Sequence, residues 1–65
     1  MFYKAYDGIG NRLAIGDYVE DHDTQQQFEV REILEDNCVI LRDVCNGEYM
    51  EPIEASDCRL LTEED

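Results

Sequence analysis

CVILRDVCNGEYM, residues 38–50, carries both the strongest strand signal in the chain and its most specific turn signal. The unbroken CVIL run predicts a strand over residues 38–44 that is covered on both sides, the position of a central strand in a small barrel. Asn46-Gly47 accepts the two left-handed conformations of a type I′ turn, so it predicts a tight hairpin joining residues 38–45 to residues 48–52. Pro52 lacks a backbone donor, which assigns it to a strand end or a sheet edge.

Upstream of this hairpin, EDN (residues 35–37) supplies a turn, and residues 28–34 alternate. Phe28 and Val30 fall on one face, Glu29 and Arg31 on the other. Adjacent Ile33 and Leu34 break the alternation and predict a bulge near the strand end. DTQQQ (residues 23–27) has no apolar residue to bury and reads as a loop. In AIGDYVEDHD (residues 14–23) the chain breaks at Gly16-Asp17 and resumes as a strand over residues 18–22, with Val19 inward and Tyr18, Glu20 and His22 outward. The same period turns Asp21 inward, so the barrel-forming part of that strand is expected to end near Glu20. Residues 1–6 form an opening strand, DGIGN (residues 7–11) a tight turn whose glycines offer positive φ, and residues 12–15 the returning arm.

Downstream, EASD (residues 54–57) suits a single 3-10 turn, and CRLL (residues 58–61) a short closing strand. TEED (residues 62–65) has nothing to bury and is expected to be a flexible acidic tail. No sustained i, i+3, i+4, i+7 apolar spacing is present, so the chain reads as all-β, one domain over residues 1–61.

A chain of 65 residues has a small core, burying about 60% of the surface its unfolded form exposes. Seventeen acidic residues against five basic ones give a net charge of −12, which opposes direct binding to nucleic acid or an anionic membrane and favours a basic protein surface as partner. A 43% apolar content, with four Tyr and two Phe, suffices for a core despite the charge. No apolar run approaches the roughly 20 residues of a membrane span, and MFYKAYDGIG lacks the pattern of a secretion signal. Three cysteines, Cys38, Cys45 and Cys58, form no CxxC and predict reduced thiols in a cytoplasmic protein, with Cys38 and Cys58 filling core space.

The succession from residue 14 to residue 61 is strand, polar loop, strand, tight turn, strand, NG hairpin, strand, one-turn helix, short strand. It resembles the SH3-like small barrels, including the KOW and Tudor modules, through IGDYV (15–19), FEVREI (28–33), CVILRD (38–43), NGEYMEPI (46–53) and ASDCRLL (55–61). DGIGNRLAIGDYV (residues 7–19) is also similar to the start of many small bacterial and phage proteins, in which D-x-x-G-x-x-L-x-x-G-D-x-V introduces such a barrel. The resemblance implies a five-stranded SH3-like barrel with an N-terminal hairpin extension and a 3-10 turn before the last strand, acting as a binding module without catalysis. Two departures qualify it. KOW-type modules that bind nucleic acid usually present basic residues where this chain has Glu20, Asp21, Asp23, Glu35 and Asp36, and the chain has no Trp to line a peptide-binding groove.

Catalytic and metal chemistry find little support. His22, the only histidine, sits in EDHD and reads as an exposed loop residue. Cysteine nucleophiles need an electropositive setting that this surface does not offer. Residues 21–29 scatter oxygen donors without the spacing, central Gly or terminal Glu of an EF-hand loop, and no phosphate-binding glycine motif occurs. No enzyme activity, metal or cofactor is expected.

The tyrosines and carboxylates are the candidate interface. Tyr18 and Tyr49 alternate away from core positions, and tyrosine is enriched at interfaces. The acids do not form a strand-face ladder matched to a phosphate backbone: Glu20 is flanked at i±2 by Tyr18 and His22, and Glu48 and Glu51 fall on opposite faces. Dispersed acids can still steer a protein to a basic groove. The expectation is a monomer or weak homodimer that binds a basic protein surface through Tyr18, Glu20, Asp21, Asp23, Glu35, Asp36, Tyr49 and Glu51, as in a phage-type inhibitor of a host nucleic-acid-binding protein. The alternative, a KOW- or Tudor-like accessory domain of a transcription or translation complex, requires Arg12, Arg31, Arg42 and Arg59 to converge.

Overall fold

The computed structural model describes residues 3–61. Met1 and Phe2, at the start of the expected first strand, and the expected tail over residues 62–65 lie outside the described residues.

The chain is all-β, with one 3-10 turn. In order it forms β1 (Ala5–Tyr6), β2 (Arg12–Leu13), β3 (Tyr18–Asp21), β4 (Gln27–Ile33), β5 (Cys38–Asp43), β6 (Ile53–Glu54), the 3-10 turn (Ala55–Asp57) and β7 (Cys58–Leu60). The strands β1 and β2 make a separate hairpin, and the other five form one antiparallel sheet in the order β6-β5-β4-β3-β7. This sheet curls into a half-barrel, and β7 returns after the 3-10 turn to pair with β3, setting Leu60 opposite Val19 and Cys58 opposite Asp21. No helix of the described residues is long and apolar enough to cross a membrane.

The expected two-residue periods appear where one face meets the core. Val19 on β3, Phe28 and Val30 on β4, and Val39 and Leu41 on β5 are buried, and every strand except β6 contributes to a core completed by Ala5, Leu13, Ala55 and Cys58. Leu13 is only 1% exposed, so the N-terminal hairpin is part of this core and covers the open side of the sheet. The CVIL run is covered on one side only: Val39 and Leu41 are buried, whereas Cys38, Ile40 and Arg42 on the outer face are half-buried. A half-barrel has one packed face, and the outer face receives only partial cover from neighbouring side chains. The bulge lies between Val30 and Glu32 rather than at residues 33–34, with Arg31 as the extra residue.

The turns differ most from expectation. Asp36 and Asn37 both have φ of +61°, and Cys38 N–H donates to the Glu35 carbonyl at 3.3 Å, so the type I′ turn sits there. At residues 44–47 only Gly47 is left-handed, with φ of +77°. Its N–H donates to the Asp43 carbonyl at 2.8 Å, and Asp43 N–H donates to the Glu48 carbonyl at 2.8 Å, which makes a wider loop than the predicted type I′ turn. The segment after it is not a strand over residues 48–52. It makes a single bridge, Tyr49 to Arg42, before β6 begins at Ile53.

Candidate functional site

Three strands end their inward-facing series in an aspartate, and each aspartate closes the loop that follows it. On β3 the series Val19, Asp21 runs into a loop in which the Asp21 carboxylate accepts the N–H groups of Asp23 at 2.7 Å and Thr24 at 3.2 Å. On β5 the series Val39, Leu41, Asp43 ends the same way, with Asp43 accepting from Cys45 at 2.7 Å and Asn46 at 3.4 Å. The two loops share a backbone path: Gln25 takes the left-handed φ of +61° where the other loop has Gly47, and its N–H donates to the Asp21 carbonyl at 2.8 Å. The Gln26 side-chain amide donates to the Asp43 carboxylate and joins the two loops at one end of the sheet. Asp7, after buried Ala5, is the third case. Its carboxylate accepts N–H groups from Ile9 at 3.1 Å, Asn11 at 2.7 Å and Leu60 at 2.7 Å. Burial opposes ionisation of Asp7, but these three backbone donors and the Asn11 side chain hold its pKa below the ordinary carboxylate value.

The outer face of the sheet carries a row that runs across four chain segments. Tyr18 pairs with Glu29, Glu29 with Arg42, and Arg42 bridges Tyr49. Glu29 draws two cations, Arg31 at 3.3 Å and Arg42 at 3.5 Å. The Tyr49 side chain, followed by Glu29, raises the pKa of the Arg31 guanidinium. Tyr18 and Tyr49 therefore share a face, with three strand spacings, about 14 Å, between them.

The sequence-predicted site residues do not form one patch. Glu20, Asp21 and Asp23 lie at the loop end of β3, and Glu35 and Asp36 lie in the turn at the far end of β4, about 20 Å away along that seven-residue strand. Tyr18 and Tyr49 occupy the outer face between them, and exposed Glu51 follows Tyr49 on the way to β6. Several acids have internal work. The Glu20 carboxylate is paired with Arg59 at 2.7 Å, Asp21 closes its loop, and Asp36 sits in the type I′ turn. Asp23, Glu35, Asp36 and Glu51 are exposed, as are Glu32, Glu48, Glu54 and Asp57.

The four arginines do not converge. Arg31 and Arg42 meet on Glu29, Arg59 is held by Glu20, and Arg12 lies on β2 of the N-terminal hairpin, opposite Tyr6. The aspartates that close loops, the pairing role of Glu29 and the bridge from Gln26 were not read from the sequence. A usable signal existed for the first, because an Asp at the end of an alternating run and before a turn commonly bonds its own backbone two residues on.

His22 is exposed, and its backbone N–H donates to the Asp57 carbonyl at 3.1 Å. Cys58 is 2% exposed, and burial, followed by the nearby Asp7, Asp21 and Asp57 carboxylates, pushes its thiol up to about 11. That is the reverse of what a thiolate nucleophile requires. Among the described residues no three His, Cys, Asp or Glu side chains gather as a metal site. Comparison with protein-family models, curated proteins and solved structures gives no match for the chain.

Proposed function

We propose that the protein is a non-enzymatic binding module of the SH3-like kind that presents its free carboxylates to a basic protein surface and competes there with nucleic acid. The observation that carries this is how the charge is distributed. Asp23, Glu35, Asp36, Glu48 and Glu51 are exposed and form no ion pair among the described residues, while three of the five basic side chains, Arg31, Arg42 and Arg59, are already held by Glu29 and Glu20. The potential outside the molecule is therefore strongly negative, which accelerates encounter with a cationic surface and repels polyanions. A strand order in which β7 returns through a 3-10 turn to pair with β3 supports the SH3-like assignment. The row Tyr18, Glu29, Arg42, Tyr49 supplies aromatic contact area beside the acids.

The test is binding to a purified basic nucleic-acid-binding domain recovered from the source cell. Affinity should fall at least about tenfold between about 50 and 200 mM salt, and a DNA competitor should displace the protein. Reversing Asp23, Glu35, Glu48 and Glu51 to Lys together should abolish binding while leaving the fold intact. Binding that is flat with salt removes the proposal.

A further inference from the structure

An open groove of about 580 Å³ lies between the N-terminal hairpin and the end of β4, a volume in the range of ligand sites. It exists because the β3–β4 ladder stops short. Val30 N–H donates to the Asp17 carbonyl and Gly16 N–H donates to the Val30 carbonyl, both at 2.8 Å, and the chain then turns back through Gly16, whose φ is +97°. Beyond Val30, Glu32 and Ile33 pair with Ile40 and Val39 of β5 on one flank, and they line the groove on the other. The facing wall is Arg12, Leu13, Ala14 and Ile15, so the hairpin side contributes one guanidinium.

Two large apolar side chains stand exposed around this space, Ile15 at 61% and Tyr3 at 43%. Glu32 lines the groove, and the turn at the end of its strand adds the exposed carboxylates of Glu35 and Asp36. The β4 side of the mouth is thus acidic, Arg12 stands on the opposite wall, and the space between Ile15 and Ile33 is apolar. This combination suits an extended segment carrying an apolar side chain with cationic neighbours directed to the β4 side.

We propose that the groove docks an extended peptide segment of the basic partner, seating one aliphatic or aromatic side chain between Ile15 and Ile33 and setting neighbouring Lys or Arg residues against Glu32, Glu35 and Asp36. The proposal rests on the acidic-module function above and adds its specificity element. Charge alone brings two surfaces together quickly, whereas a desolvated apolar anchor fixes which surface and which orientation.

The experiment titrates the full-length, isotope-labelled protein with two end-capped peptides of equal charge, Lys-Arg-Leu-Val-Leu-Arg-Lys and Lys-Arg-Ser-Thr-Ser-Arg-Lys, and follows amide NMR signals. The apolar peptide is expected to bind at least tenfold tighter and to move the signals of Leu13, Ile15, Glu32 and Ile33. The variant Ile15→Ser, at an exposed position, should erase that tenfold advantage without altering binding of the polar peptide. Equal binding of both peptides, with shifts spread over the acidic loops, overturns the groove and leaves the acidic module standing. Binding of neither peptide overturns both. Contacts from Met1 or Phe2 to Ile33 in the free protein, or self-association lost in Ile15→Ser, assign the groove to the chain's own start or to a second copy and overturn the proposal.

Discussion

The carboxylate of Asp7 accepts the backbone N–H of Leu60 at 2.7 Å, joining residues fifty-three positions apart. Gly8 N–H donates to the Cys58 carbonyl at 3.0 Å in the same place. Strand β7 pairs with β3 through Arg59, so the outward groups of Cys58 and Leu60 would form an open sheet edge, and the turn after β1 occupies it. An edge satisfied in this way offers no template for another strand.

Asp7→Ala should be among the most destabilising substitutions of a turn residue. It leaves the part-buried N–H groups of Leu60, Asn11 and Ile9 without this acceptor, at a cost of about 2 kcal/mol and a Tm loss of roughly 10 °C by thermal unfolding.

The same residue gives a pH signature. Its folded pKa lies below the unfolded value of 3.8, so its contribution is present above that value and is lost as pH falls through the folded pKa. Stability measured by urea unfolding should fall more steeply below about pH 4 in the native sequence than in Asp7→Asn, which is already weaker at neutral pH.

Gly8→Ala tests the approach of this turn to the 3-10 segment. A Cβ at Gly8 would sit 2.8 Å from the Ser56 carbonyl oxygen, a backbone atom that cannot swing aside. The expected loss is about 1–3 kcal/mol, whereas Gly10→Asn, at an open left-handed position with φ of +90°, should lose less than about 1 kcal/mol.

Asn37 does two things that two variants separate. Its left-handed φ of +61° helps to make the type I′ turn, and its side-chain amide clamps Tyr6, accepting from the N–H at 2.7 Å and donating to the carbonyl at 3.1 Å. Asn37→Gly keeps the turn and frees the hairpin, so hydrogen exchange at Tyr6 should accelerate with little change elsewhere. Asn37→Ala adds the strain of a Cβ at positive φ and should cost about 1 kcal/mol more.

Asp43 and Asp23 separate structural from surface acids. Asp43 is 7% exposed and holds its own loop and Gln26, so Asp43→Ala should cost roughly 2 kcal/mol. Asp23 faces solvent, and Asp23→Ala should stay within about 0.5 kcal/mol in the same denaturation assay.

Cys45 is exposed and Cys58 buried with a thiol pushed up to about 11, so an alkylating reagent at neutral pH should modify Cys45 first and reach Cys58 only on unfolding. Because the folded pKa of Cys58 is raised from 9.0, its contribution is complete below that pH and is lost as pH rises towards about 11. The Cys58→Ala variant should lack that part of the alkaline decline.

The strands β3, β4 and β5 were legible because their signal is local, whereas the strand expected over residues 48–52 is replaced by β6 at Ile53–Glu54. Val19, Phe28 and Val30 show the two-residue period and are buried. The unbroken CVIL run gave the strand but not its faces, of which only that of Val39 and Leu41 is buried. The 3-10 turn before β7 was legible for the same reason. The turns were not. Asn46-Gly47 has the composition of a type I′ turn, yet Asp43 closes a wider loop there, and the turn forms at Asp36-Asn37, where the neighbouring strand β1 supplies partners for the Asn37 amide. The candidate site was read as one acidic surface because residue type shows charge but not pairing.

The sequence by itself determined that the chain is all-β, that Val19, Phe28 and Val30 face inward, and that the composition is acidic, since each follows from side-chain period and composition. Tertiary structure alone decided which carboxylates are free. Asp7, Asp21 and Asp43 lie where strands run into loops with unsatisfied backbone N–H groups, and Glu20 and Glu29 lie across strands from Arg59 and Arg42. The closures at Asp21 and Asp43 are local. The Glu20 and Glu29 ion pairs with Arg59 and Arg42 and the bond from Leu60 to Asp7 depend on register between distant segments, and register is set by how the apolar faces pack together.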